Sequence, residues 1–123
     1  MRIVFVTWAW PSHLYALVPT AWACRLRGHD VLVAAPPALT ADVRRAGLPA
    51  APVGRDIDAV PVFRDIATGP PGKGGGPRVL GLLDAIAESM TGDLERLLGS
   101  WRADLVVFEP TAFAGPLAAA AAG

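Results

Sequence analysis

Residues 3–7, Ile-Val-Phe-Val-Thr, form an apolar run with no polar alternation, and no other feature constrains the fold as much. A strand with one wet face alternates apolar and polar residues, whereas a strand buried on both faces does not. Strands of the second kind belong to parallel sheets covered by helices. The signature returns at 30–35 (Asp-Val-Leu-Val-Ala-Ala) and at 104–108 (Asp-Leu-Val-Val-Phe), with a shorter run at 49–53.

The segments between these runs carry helical spacing. Leu14, Leu17, Val18, Ala21 and Trp22 recur at helical intervals, and Gly28 suits the position just past a helix end. Pro19 fits best in a first turn, which sets the start of this helix near Ala16 and leaves His13 just before it. Leu39 to Ala46 reads as a short helix closed by Gly47. Val79, Leu83, Ile86, Ala87, Met90, Leu94, Leu97 and Leu98 mark one face of a long helix ended by Gly99, and a last helix begins near Pro116. The alternation predicts a Rossmann-like α/β fold, a doubly wound parallel sheet with right-handed crossovers and strand order 3-2-1-4. Residues 54–77 break the pattern. Gly-Pro-Pro-Gly-Lys-Gly-Gly-Gly-Pro at 69–77 sustains neither helix nor strand, so a mobile loop is expected there.

The 123 residues, 53% of them hydrophobic, suit one domain over 1–123 and leave little room for two. A final helix normally leads to another strand, so the chain reads as half of a larger design. The formal net charge is +0 and the ten arginines are scattered, which argues against nucleic acid as a partner. No apolar run approaches the ~20 residues that span a bilayer. The run at 3–10 meets Pro11, Ser12 and His13 without a small-residue cleavage site, so a cytoplasmic protein is expected. Cys24, the only cysteine, sits in a helical apolar pattern and reads as a buried, inert thiol.

Ligands of an open parallel sheet bind at the carboxyl ends of its strands, where the strand order reverses. Two residues with acid–base potential fall there: His13 after the first strand and Glu109 after the fourth. A carboxylate accepting from one imidazole N–H fixes the tautomer and leaves the other nitrogen free to take a proton. A His13 that only caps a turn, with a solvated Glu109, fits the same pattern. His29 lies in an Arg-Gly-His-Asp turn at the opposite, amino end of the sheet. The two histidines therefore share no metal, and none is assigned. The turn from Trp8 to His13 has no glycine, which argues against a dinucleotide cofactor. The Gly72-Lys73 pair lacks the following Ser or Thr and the preceding strand of a phosphate loop. Trp8 suits either the core or a cleft. Trp10, past the strand end and before Pro11, suits a cleft that takes a bulky hydrophobic ligand.

Four segments resemble the amino-terminal domain of the family 1 glycosyltransferases of GT-B fold, in particular the bacterial group acting on macrolide and other polyketide antibiotics. They are Thr7-Trp8-Ala9-Trp10-Pro11-Ser12-His13-Leu14-Tyr15 with Val18-Pro19, Arg27-Gly28-His29-Asp30-Val31, Ala46-Gly47-Leu48, and Asp104-Leu105-Val106-Val107-Phe108-Glu109-Pro110-Thr111. Residues 55–77 are covered least. The resemblance implies inverting transfer of a sugar from a nucleotide diphosphate donor, as co-substrate, to a hydroxyl of a hydrophobic acceptor. His13 matches the family's base. Glu109 matches its carboxylate partner, although many members carry aspartate there, and Ala16 stands where proline is common. Trp8, Trp10, Ser12 and Thr111 are the candidate acceptor-binding residues. No further cofactor is implied. In the family the nucleotide is held mainly by a carboxyl-terminal domain, which the resemblance leaves outside this chain. An isolated half would expose its interdomain face, which points to self-association such as a homodimer. Two other readings use the same residues: a non-catalytic acceptor-binding or partner protein, and a stand-alone flavodoxin-like domain. The missing glycine-rich turn argues against the second.

Overall fold

A computed structural model of the chain describes residues 1–70 and 75–123. Strands β1 (Arg2–Val6), β2 (Asp30–Ala35), β3 (Ala50–Pro52) and β4 (Leu105–Phe108) form one sheet in the order β3-β2-β1-β4. Every pairing is parallel, and Val6 faces Ala34 on one side and Phe108 on the other. β1 is thus central, and the chain crosses from β3 at one edge to β4 at the other.

The uninterrupted apolar runs of β1 and β2 are explained by two cores. β4 is not the fully buried strand its run predicts: it lies at the sheet edge, with Leu105 and Phe108 exposed and only Val106 and Val107 packed against the cores. Ile3 and Phe5 point to one face of the sheet, where they meet Leu14, Leu17 and Ala21 of α1 (Pro11–Leu26) and Val43 of α2 (Thr40–Arg45). Val4, Val6 and Trp8 point to the other, against α4 (Gly75–Trp101) and α5 (Ala114–Ala122). In α4 the buried face is Leu82, Leu83, Ile86, Ala87, Met90, Leu94 and Leu98; Val79 and Leu97 lie at its margin.

Several boundaries differ from the sequence reading. α1 begins at Pro11 rather than near Ala16, so His13 lies in the first helical turn. Pro11 occupies a position where its missing N–H costs nothing. Pro19 then sits inside the helix, at a cost of about 3 kcal/mol. Burial of Leu14 and Leu17, at about 1.5–3 kcal/mol each, offsets it. Residues 54–77 are not one loop: Val60–Thr68 is helix α3, and α4 opens at Gly75. Asp58 Oδ1 accepts the Val60 N–H at 3.0 Å, Pro61 lies in the first turn, and Val62 and Phe63 pack on the core. Residues 71–74, with the Gly72-Lys73 pair and a short part of the expected mobile loop, lie outside the described residues. Cys24 is half-buried rather than buried. Among the described residues no helix is long and apolar enough to cross a membrane.

Candidate active site

Parallel pairing of β1 and β4 ends both strands at the same edge. Glu109 is the first residue past β4, and the β1–α1 turn runs beside it. Trp10 has extended backbone at the start of α1 and its carbonyl accepts the His13 N–H at 3.0 Å, which brings His13 round into the helix's first turn. His29 lies at the amino end of β2, at the opposite edge.

The two candidate acid–base residues meet. His13 Nδ1 lies 3.0 Å from Glu109 Oε2, with the imidazole 30% and the carboxylate side chain 7% exposed. A carboxylate that far out of water requires donors. Thr111 supplies two: its backbone N–H reaches Oε2 at 2.9 Å, and its hydroxyl lies 2.7 Å from Oε2 and 2.8 Å from Oε1. Thr111 Oγ1 also accepts the Trp8 indole N–H at 2.9 Å and lies 3.2 Å from His13 Nδ1.

With Glu109 ionised, proton counting gives one consistent direction for each bond. The indole N–H only donates and the ionised carboxylate only accepts. Thr111 therefore accepts from Trp8, and its single hydroxyl proton goes to Glu109. His13 Nδ1 faces a carboxylate oxygen and an oxygen whose proton is committed elsewhere, so Nδ1 is the donor. In that arrangement a neutral ring carries its proton on Nδ1, and Nε2 has no protein partner among the described residues. Among those residues no buried side-chain polar atom lacks a hydrogen bond.

A cavity of ≈ 330 Å³ opens beside this pair, lined by Ser12, His13, Ala16, Glu109, Pro110 and Thr111. Ser12 is exposed at its rim. Trp8 is 3% exposed and belongs to the core, reaching the site only through Thr111 and its tilted contact with the His13 ring. Trp10 is half-buried, stacked on Trp8 with ring centroids 5.5 Å apart. Its other neighbour is Phe63 of α3 at 5.0 Å. Phe63 escapes the sequence reading because the glycine- and proline-rich stretch 69–77 extends the loop reading back over 54–68; the spacing of Val62, Phe63 and Ile66 behind Asp58 and Pro61 is the signal that marks the helix.

The model of the erythromycin biosynthesis protein CIII-like, N-terminal domain family matches residues 22–71 and 78–123. Among curated proteins the chain is similar to the 3-alpha-mycarosylerythronolide B desosaminyl transferase of Saccharopolyspora erythraea, at 37% identity over all of this chain and 34% of the relative. It is likewise similar to the tylactone mycaminosyltransferase of Streptomyces fradiae, at 38% identity over all of this chain and 32% of the relative. The solved structure of SsfS6, a Streptomyces sp. SF2575 glycosyltransferase complexed with thymidine diphosphate, superposes with a TM-score of 0.77 and 29% identity, covering 98% of this chain and 36% of that one. The chain thus spans about a third of the length of the relatives it matches. With its fold shared and its sequence matched over most of its length, the chain belongs to the erythromycin biosynthesis protein CIII-like, N-terminal domain family.

Proposed function

We propose that this chain is the acceptor-binding part of a glycosyltransferase that moves a sugar from a nucleotide diphosphate donor to a hydroxyl of a hydrophobic, macrolide- or polyketide-like acceptor, with inversion. The observation that carries this reading is the His13–Glu109 pair, with Nε2 unengaged beside an open cavity. The acceptor O–H gives its proton to Nε2 as the oxygen forms a bond to the anomeric carbon. The bond from that carbon to the nucleotide diphosphate breaks, and the leaving group takes the electron pair. Glu109 offsets the positive charge that develops on the ring. Ser12, at the cavity rim, contacts the acceptor; Trp10, outside the cavity lining, extends that surface towards α3, and Trp8 and Thr111 support the reacting pair. The donor is a thymidine diphosphate sugar, by analogy with the ligand of SsfS6.

The experiment supplies the full-length protein with a thymidine diphosphate sugar and a macrolide aglycone and looks for the glycosylated mass. General-base assistance contributes roughly 10²–10⁴-fold, so His13→Ala lowers turnover by that order. Turnover equal to wild type would remove the base assignment.

A further inference from the structure

We propose that Thr111, anchored by Trp8, is a positioning residue that holds His13 in the Nδ1–H tautomer; this rests on the base role of His13 just proposed. A free neutral imidazole favours the other tautomer, with the proton on Nε2, and a base protonated there cannot accept a proton from the acceptor. Something in the site must reverse the preference. Two acceptors face Nδ1: Glu109 Oε2 at 3.0 Å and Thr111 Oγ1 at 3.2 Å. Thr111 governs both. It provides the second acceptor itself, and its hydroxyl and backbone N–H pin the carboxylate that is the first.

The hydroxyl could also do the opposite. Turned towards His13, its proton would satisfy Nδ1 as an acceptor and support the unproductive tautomer. Trp8 fixes the oxygen against that. Its indole N–H, held in the core, occupies one lone pair of Oγ1 and sets the oxygen where both carboxylate oxygens are closer than the ring nitrogen. Trp8 thus acts from within the core through Thr111, which explains an indole N–H aimed at the sheet's functional edge from a 3% exposed side chain.

The test labels the histidines of the full-length protein with nitrogen-15 and reads the tautomer of His13 from its two-bond proton couplings; His29, at the far end of the sheet, is the internal control. Thr111→Val keeps the shape and the backbone N–H but removes the hydroxyl, Thr111→Ala removes it without crowding, and Thr111→Ser retains it. Wild type and Thr111→Ser are expected in the Nδ1–H form. In the two hydroxyl-free variants the ratio of Nδ1–H to Nε2–H falls about fivefold or more, the population worth of one hydrogen bond. An unchanged ratio in both, or an Nε2–H wild type, overturns the proposal. Transfer kinetics supply the second readout: Thr111→Val lowers kcat, leaves the acceptor KM in place, and adds nothing in a His13→Ala background. A raised KM at unchanged kcat would make Thr111 an acceptor contact and end the positioning role. If His13→Ala leaves transfer intact, the base reading fails by itself, and the tautomer ratio still decides what Thr111 does.

Discussion

Glu109 Oε2 stands 3.0 Å from Nδ1 of His13, with only 7% of the carboxylate side chain exposed, so the negative charge acts on the ring at short range and with little screening. Opposite charges 4 Å apart interact by about 4 kcal/mol where the effective dielectric constant is near 20. That attraction grows only when the ring is protonated, and in the proposed reaction it favours the transition state over the ground state.

Glu109→Gln removes the charge and keeps the shape. The amide oxygen can still accept from Nδ1, so the tautomer survives while the imidazolium loses its counter-charge. The expected result is a fall in kcat of roughly 10²-fold or more with the acceptor KM little changed, measured in the same mass-spectrometric transfer assay. An equal rise in KM would instead place Glu109 in acceptor binding.

Phe63 joins α3 to the site through Trp10, with ring centroids 5.0 Å apart. α3 has no fully buried residue, and Phe63 is one of two side chains, with Val62, that pack it on the core. An aromatic pair is worth about 0.5–1.5 kcal/mol beyond its buried area. Phe63→Ala should therefore raise the acceptor KM between about twofold and tenfold at nearly constant kcat. Limited proteolysis should also cut within 60–68 sooner than in wild type.

What the sequence disclosed and what it hid have physical causes. The covered parallel sheet follows from unbroken apolar runs such as Ile3 to Val6, and its strand order from the strand–helix alternation with right-handed crossovers, whereas runs apolar on both faces carry no signal for the register. The meeting of His13 and Glu109 follows from that order, since adjacent parallel strands end at one edge. Helix α3 was hidden because its short apolar face, Val62 and Phe63, is flanked by segments rich in turn formers. The start of α1 was displaced because Pro19 obeys a local preference that burial of Leu14 and Leu17 overrides. The hub at Thr111 was illegible in its connections: its partners Trp8 and His13 lie across the sheet edge, and only coordinates say which of a threonine's neighbours its hydroxyl meets.

Gly115 gives α5 its close approach to β4. A Cβ there would lie 2.7 Å from Cβ and 2.9 Å from Cγ of Phe108, and the first of these is fixed to backbone. Gly115→Ala must push α5 from the strand that leads into Glu109. Overpacking of this kind costs about 1–3 kcal/mol, so the urea midpoint should fall accordingly. Because the turn from Glu109 to Ala112 is held by an N–H···O bond of 2.9 Å next to the displaced helix, kcat should fall with it. A midpoint equal to wild type would show that the helix shifts freely.

Arg102 offers the reverse, a stabilising change. Three helices end in the same way. After α1, Gly28 has φ 81° while the His29 N–H reaches the Cys24 carbonyl and the Gly28 N–H that of Arg25. After α2, Gly47 has φ 77°, with Leu48 bonded to Val43 and Gly47 to Arg44. After α4, Ala103 bonds to Leu98 and Arg102 to Gly99, but the left-handed residue is Arg102, at φ 54°. This paired bond pattern is the Schellman motif, whose left-handed position glycine fills without strain. A residue with a Cβ pays about 1–2 kcal/mol there, whereas glycine costs about 0.5–1 kcal/mol in lost chain entropy. Arg102 is exposed, so little is lost with its side chain. Arg102→Gly should raise stability by roughly 0.5–1 kcal/mol, read as a rise in Tm of about 2–4 °C. Since residue 102 sits at the amino end of β4, opposite Glu109, the transfer kinetics should not change. A lowered Tm would mean that the arginine stem covers apolar surface at this edge, beside Leu105 and Val106.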